Sequence, residues 1–241
     1  MAFTYVFERQ EYKYILTESQ KAAILKAMSE HGMSLDSYGR TTIRNIYFDT
    51  DSYRLIRRSI ESPAYKEKLR VRSYELARDD STVFVELKKK FDHIVYKRRI
   101  PLKTSVAEAW LSGKTGRPSD TQIAREIDYF LEFYKNLRPS LFLSYEREAY
   151  FGSGADDPRI TFDENILSRQ TDMSLKSEPY GEHVLPPGLT LMEIKCGTAL
   201  PTWLADTLSK NGIYKTSFSK YGSAYTNSIY PRFAQPAVLE A

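Results

Sequence analysis

Only one cysteine, Cys196, stands in the 241 residues, so no internal disulfide can form and a reducing compartment is expected. Histidine is also scarce. His31, His93 and His183 are scattered without metal-ligand spacing, which argues against a zinc site. No run of about 18 apolar residues occurs, and the stretch from Met1 to Gln10 lacks the apolar centre of a signal peptide. The expectation is therefore a soluble, cytoplasmic chain without a membrane segment. Charge of either sign is nearly balanced: 35 Lys and Arg against 31 Asp and Glu leave +4, too small a surplus to argue for nucleic acid. What is present is a packed-protein composition, 41% hydrophobic and 13% aromatic, which excludes disorder. A single domain over residues 1–230 with a frayed tail at 231–241 is the natural division.

Periodicity then places the elements. Residues 3–16 alternate as a strand, with Arg9, Glu11 and Lys13 on one face and Gln10, Tyr12 and Tyr14 on the other. Thr17 with Gln20 forms a capping-box pattern at the start of a helix that runs to Gly32. Strands are predicted over 41–50, through Lys66-Glu67-Lys68-Leu69-Arg70-Val71-Arg72, over a hairpin at 82–100, and over 141–151, 159–166 and 189–197. Helices are predicted at 53–60, 105–112, 119–136 and 201–212, with a loop over 177–188. Ser112-Gly113-Lys114-Thr115 imitates the end of a P-loop, but its first glycine position falls on Glu108 after a helix, so Gly113 reads as a helix C-cap.

The strands share an unusual pattern: Lys68/Arg70/Arg72, Glu86/Lys88/Lys90, Lys97/Arg99, Tyr145/Arg147, Arg159/Thr161/Asp163 and Glu193/Lys195 each line one face. With about eight antiparallel strands and no long parallel crossovers, a closed antiparallel β barrel with helices packed outside, of the α+β class, is the expected architecture. If the charged rows faced out, the apolar stripes of the helices would have nothing to cover. If they face in, the helices pack on an apolar outer wall around a charged interior. Unpaired buried charge is costly, so such an interior must hold water, acids and a polyanion. Arginine suits bidentate phosphate contact and lysine point-charge contact. The carboxylates of Glu11, Glu86, Asp163 and Glu193 are hard oxygen donors that suit Mg²⁺ or Mn²⁺ on phosphate oxygens.

Taken together, Arg9-x-Glu11-x-Lys13-Tyr14, Tyr47-Phe48-Asp49, Lys68-Leu69-Arg70-Val71-Arg72, Glu86-Leu87-Lys88, Val95-x-Lys97, Tyr145-x-Arg147, Glu193-x-Lys195 and Ser217-Phe218-Ser219-Lys220-Tyr221 resemble the VTC domain of polyphosphate polymerases, within the triphosphate tunnel metalloenzymes. The resemblance implies a tunnel-shaped barrel in which the γ-phosphate of ATP passes to a growing polyphosphate chain with Mn²⁺ or Mg²⁺. It implies phosphate contact and catalysis by Arg70, Arg72, Lys88 and Arg147. It adds phosphate binding by Lys13, Arg58, Lys97, Arg99, Tyr145, Lys195, Ser219 and Lys220, with Glu193 and Glu11 on the metal. Relatives that hydrolyse triphosphate begin Glu-x-Glu-x-Lys, and Arg9 at the first acidic place favours the polymerase. An inorganic triphosphatase or nucleoside triphosphatase, and a non-catalytic polyphosphate binder, stay open as alternatives. ATP and polyphosphate or triphosphate are the partners implied, nucleic acid is not, and the lack of a membrane segment leaves room for a membrane partner protein.

Overall fold

In a computed structural model the described residues are 10–61, 63–92, 94–152, 154, 157–197 and 199–234. The elements follow the chain as β1 Gln10–Leu16, α1 Glu18–Glu30, β2 Ser34–Leu35, β3 Thr41–Asp49, α2 Arg54–Ile60, β4 Tyr65–Ser73, β5 Thr82–Phe91, β6 Ile94–Lys103, α3 Thr104–Leu111 and α4 Gln122–Tyr134. They continue as β7 Arg138–Phe151, β8 Arg159–Arg169, β9 Glu182–His183, β10 Thr190–Cys196, α5 Thr202–Lys210, α6 Lys220–Ala224, a π-helical turn at Tyr225–Ile229, and α7 Tyr230–Ala234. The predicted elements are found, with shifts at their ends. β7 starts three residues earlier than the 141 expected, β8 runs on to Arg169, and the 177–188 loop contains the short β9. Helix continues to Ala234, past the Pro231 at which fraying was expected; proline is tolerated there because it stands near the start of α7. The N-terminal part of the first predicted strand, Arg9 included, and His93 lie outside the described residues.

The chain divides into two compact units: Met1–Thr42, Tyr145–Ile166 and Leu185–Phe218 form one, and Ile43–Ser144, Leu167–Val184 and Ser219–Ala241 the other. In the first, the hydrogen-bonded strand order is β1-β10-β8-β7 with β2 on β7; in the second it is β7-β3-β4-β5-β6, with β9 on the end of β8. The registers of β1 on β10, β10 on β8, β3 on β4, β4 on β5 and β5 on β6 are all antiparallel. The order begins at β1 and ends at β6, so among the described residues hydrogen bonds do not close the sheet. The fold is an antiparallel sheet with helices, and a closed barrel goes beyond this pairing.

Each unit applies the same rule of alternation. In the second, Leu69, Val71, Val83, Val85, Leu87 and Ile100 turn to one face and meet Ala107, Trp110 and Leu111 of α3 with Ala124, Ile127 and Phe130 of α4. Complete burial of a side chain such as Leu87 or Ile127 contributes about 1.5–3 kcal/mol. In the first unit Tyr14, Leu16, Ile160, Phe162, Met192 and Ile194 pack on Ile24 and Met28 of α1 and on Leu204 and Leu208 of α5. The Thr17–Gln20 capping box that starts α1 is formed in both directions, satisfying two backbone N–H groups. The P-loop imitation is a helix end: Gly113 takes φ +73°, its N–H donates to Trp110 O and the Lys114 N–H to Ala109 O.

Candidate functional site

With the apolar faces covered, the opposite faces of the strands carry the charge. In the second unit the registers set Lys66 against Lys90, Lys68 against Lys88, and Lys88 in turn against Lys97; Arg70 stands opposite Glu86, and Glu86 opposite Arg99. Arg72 joins the same face. Eight cations thus share one face of three strands with one carboxylate. Like charges placed directly opposite one another in a sheet are destabilising, so the Lys68–Lys88–Lys97 row is a place where the fold gives up stability.

Glu86 is the centre of this ladder and is 1% exposed. Arg70 approaches it at 2.7 Å, Lys97 at 2.7 Å, Arg99 at 3.5 Å and Arg72 at 3.8 Å. Burial alone would raise its pKa, but the charges of Arg70, Arg72 and Lys97 outweigh it and hold the carboxyl down to about 2. Lys97, itself partly desolvated, is shifted down despite Glu86. The guanidiniums are fixed from the side. Arg70 donates to the Tyr47 hydroxyl at 2.9 Å, Arg72 to Asn45 Oδ1 at 3.0 Å, and Arg99 to the Tyr74 hydroxyl at 3.1 Å while lying 3.5 Å over the Phe84 ring. Asn45 is oriented in turn by its own bond to Leu143 O. Burial would push the Tyr47 phenol up, yet Arg70, Arg72 and Lys220 bring it below its ordinary value. Ser219 caps α6 by accepting from the Gly222 N–H, and its hydroxyl also accepts from Lys68 Nζ at 3.3 Å.

The first unit solves the same problem differently. There Glu11 faces Lys195 and Lys13 faces Glu193, so opposite charges alternate across the strands. Lys13 Nζ lies 3.3 Å from Glu11 and 3.8 Å from Glu193, and donates to Phe218 O at 3.1 Å. Arg147 holds Asp163 through two bonds of 2.6 Å and reaches Glu193 at 3.5 Å, with its guanidinium 5.1 Å over the buried Tyr145 ring. Burial would lower the Arg147 pKa, but Tyr145, Asp163 and Glu193 drive it up, so it stays a cation. Lys195 is lowered by burial in spite of Glu11 and Glu193.

The structure therefore brings Arg70, Arg72, Lys88, Lys97 and Arg99 onto one face, and Lys13, Tyr145, Arg147, Lys195, Glu11 and Glu193 into a second, self-compensated group. Lys88 sits exposed in the middle of its row. Arg58 is not brought to the ladder: on α2 it lines a pocket with Tyr65, Glu67 and Lys89, residues of the alternate face of β4 and β5. Asn45 is not among the residues expected from the sequence, and Tyr47 enters there only within the Tyr47-Phe48-Asp49 motif, without a role. Every residue from Ile43 to Asp49 is buried, so β3 offers no polar alternation to mark them. Among the described residues no group of three or more His, Cys, Asp or Glu comes together. Glu11 and Glu193, however, both reach one ammonium group, and two such carboxylates are what a divalent ion asks of a protein when phosphate and water fill its other positions.

A model of the VTC domain matches residues 8–229, across both units. The chain belongs to the VTC domain family. Among solved structures, this VTC domain is similar to a "putative adenylate cyclase" from Bacillus halodurans, at 16% identity over 94% of this chain and 99% of the other, with a TM-score of 0.53. It is also similar to a "putative adenylyl cyclase" from Hippeastrum described as having a dominant triphosphatase activity, at 15% identity over 90% of this chain and 94% of the other, with a TM-score of 0.50. At these identities the likeness is one of fold. No curated protein matches. No helix among the described residues is long and apolar enough to cross a membrane.

Proposed function

We propose that this VTC domain is a polyphosphate polymerase that transfers the γ-phosphoryl group of ATP to the end of a growing polyphosphate chain. The observation that carries the reading is the cationic ladder, eight Lys and Arg against Glu86 on one face of β4, β5 and β6. Phosphoryl transfer asks a protein for positioning and charge neutralisation rather than a covalent catalyst. In this reading Arg70 and Arg72, already oriented by Tyr47 and Asn45, grip phosphate oxygens bidentately, and Lys88, Lys97 and Arg99 neutralise the neighbouring phosphates. Within the first unit Arg147, Lys13 and Lys195 are phosphate-binding groups in their own right, and within the second Ser219 and Lys220 add to the ladder at the start of α6. The terminal phosphate oxygen of the polymer attacks the γ-phosphorus as the bond to the ADP oxygen breaks. Glu193 and Glu11 would hold Mn²⁺ or Mg²⁺, which supplies Lewis-acid polarisation of phosphate oxygens when bound. The closed tunnel and the single domain implied by the family resemblance belong to this proposal.

A second reading, hydrolysis of triphosphate, is favoured by the triphosphatase activity described for the Hippeastrum protein. Incubation of purified protein with ATP and Mn²⁺, resolved on a polyacrylamide gel, separates them. Long polyphosphate supports the polymerase, free phosphate without polymer supports the hydrolase, and absence of turnover leaves a binder. Arg70→Ala should weaken tripolyphosphate binding roughly tenfold, the worth of a charge-assisted bond of about 1.5 kcal/mol. Unchanged affinity by calorimetry would remove Arg70 from the site.

A further inference from the structure

On the helix-covered side of β4 and β5 lies a cavity of about 260 Å³, lined by Arg54, Arg58, Lys89, Tyr65, Tyr129, Phe133 and Tyr134, with Glu67 among its lining residues. Its polar inventory is lopsided. Glu67 is buried and accepts hydrogen bonds from Tyr65 at 2.7 Å and Tyr134 at 2.8 Å. Burial, reinforced by those bonds to Glu67, pushes both phenols up, so they remain donors committed to it. Arg54, Arg58 and Lys89 form no ion pair among the described residues; Arg54 merely lies 5.5 Å over the Tyr134 ring. Three cations thus surround a carboxylate that two tyrosines already occupy.

The aromatic walls are as unusual as the charges. Tyr129 and Phe133, one turn apart on α4, are 65% and 56% exposed and stack with ring centroids 6.1 Å apart. Their neighbours Phe130 and Tyr134 already serve the core, so this pair is not needed there. Flat exposed rings beside guanidinium and ammonium groups form a platform for a planar aromatic group that carries negative charge.

We propose that this cavity is a nucleotide site distinct from the cationic ladder, taking the base of a nucleoside monophosphate on Tyr129 and Phe133 and its phosphate on Arg54, Arg58 and Lys89. A nucleotide fits better than a phosphate chain, because a phosphate chain would leave the aromatic platform unused. It fits better than an acidic peptide because the cavity is small, with the Tyr65–Glu67–Tyr134 bonds among its lining residues. The site depends on neither reading of the ladder.

Calorimetry of the full chain with AMP, which lacks the triphosphate that the ladder would grip, tests it. Tyr129→Ala and Arg58→Ala should each weaken AMP binding by roughly tenfold, a stacking or ionic contact apiece, while Arg70→Ala leaves it unaltered. The proposal is overturned by any of four results: no AMP binding at millimolar concentration, loss of binding in Arg70→Ala alone, inorganic phosphate binding as tightly as AMP, or a dimer in solution that Tyr129→Ala dissociates and AMP does not. Failure of polymer synthesis with intact AMP binding would count against the polymerase alone.

Discussion

Replacing Glu86 with glutamine keeps the shape of the side chain and removes its charge, which leaves Arg70, Arg72, Lys97 and Arg99 around a neutral amide. The drop of its pKa from the ordinary 4.5 to about 2 corresponds to about 3 kcal/mol of stability in the free protein. For a chain of this size that loss lowers Tm by roughly 6–12 °C. Because the folded pKa lies below the unfolded one, the contribution is complete above about pH 4.5 and vanishes as pH falls through 2, so the melting curves of Glu86→Gln and wild type should converge in acid. A polyanion should reverse the penalty. Tripolyphosphate at a hundredfold excess over its Kd adds about 2.7 kcal/mol to a protein that binds it only when folded, and the variant, with its cations released, should gain more than the wild type. Thermal melts of both proteins at pH 7 and pH 3, with and without tripolyphosphate, supply four melting temperatures for each. An unchanged Tm, or a tripolyphosphate shift no larger in the variant, would refute the view of Glu86 as the ladder's internal counter-ion.

Glu193→Ala should remove Mn²⁺-dependent turnover with little loss of secondary structure; undiminished activity across a Mn²⁺ titration would take Glu193 off the metal. Leu87→Ala, on the opposite face of the same strand, should cost about 2–5 kcal/mol in urea unfolding through the cavity it leaves. Its tripolyphosphate affinity under native conditions should match the wild type, and a parallel loss would mean that the two faces of β5 are not independent.

Much of this was legible because strands make charge visible. Lys68, Arg70 and Arg72 fall on one face by counting in twos, and Leu69 and Val71 fall on the other whatever the rest of the chain does. The helix start at Thr17 was equally local. Pairing of one strand with another was not local, and the errors and omissions concentrate there. Nothing in Glu86-Leu87-Lys88 says that four cations from the two flanking strands converge on the first residue, or that Glu11 and Glu193 share Lys13. Asp163 stood in a row with Arg159 and Thr161, but its two bonds run to Arg147 of another strand. Arg58 carried the right chemistry for phosphate on a helix that faces the other side of the sheet. The roles of Asn45 and Tyr47 in orienting Arg72 and Arg70 were hidden by a strand buried on both faces, where polar and apolar residues no longer mark inside and outside.

A lone carboxylate among eight cations also governs how long a polyanion would stay. Cations already shared with Glu86 offer a phosphate only part of their field, so each bond made to a guest partly replaces one that was there before. Exchange of that kind flattens the energy profile along the row, because the carboxylate takes back whatever the departing phosphate releases. For a polymerase, whose product must advance by one phosphate after each transfer, such a row would favour slippage along the chain over tight arrest, and processivity would then hinge on a residue that never touches the reacting atoms.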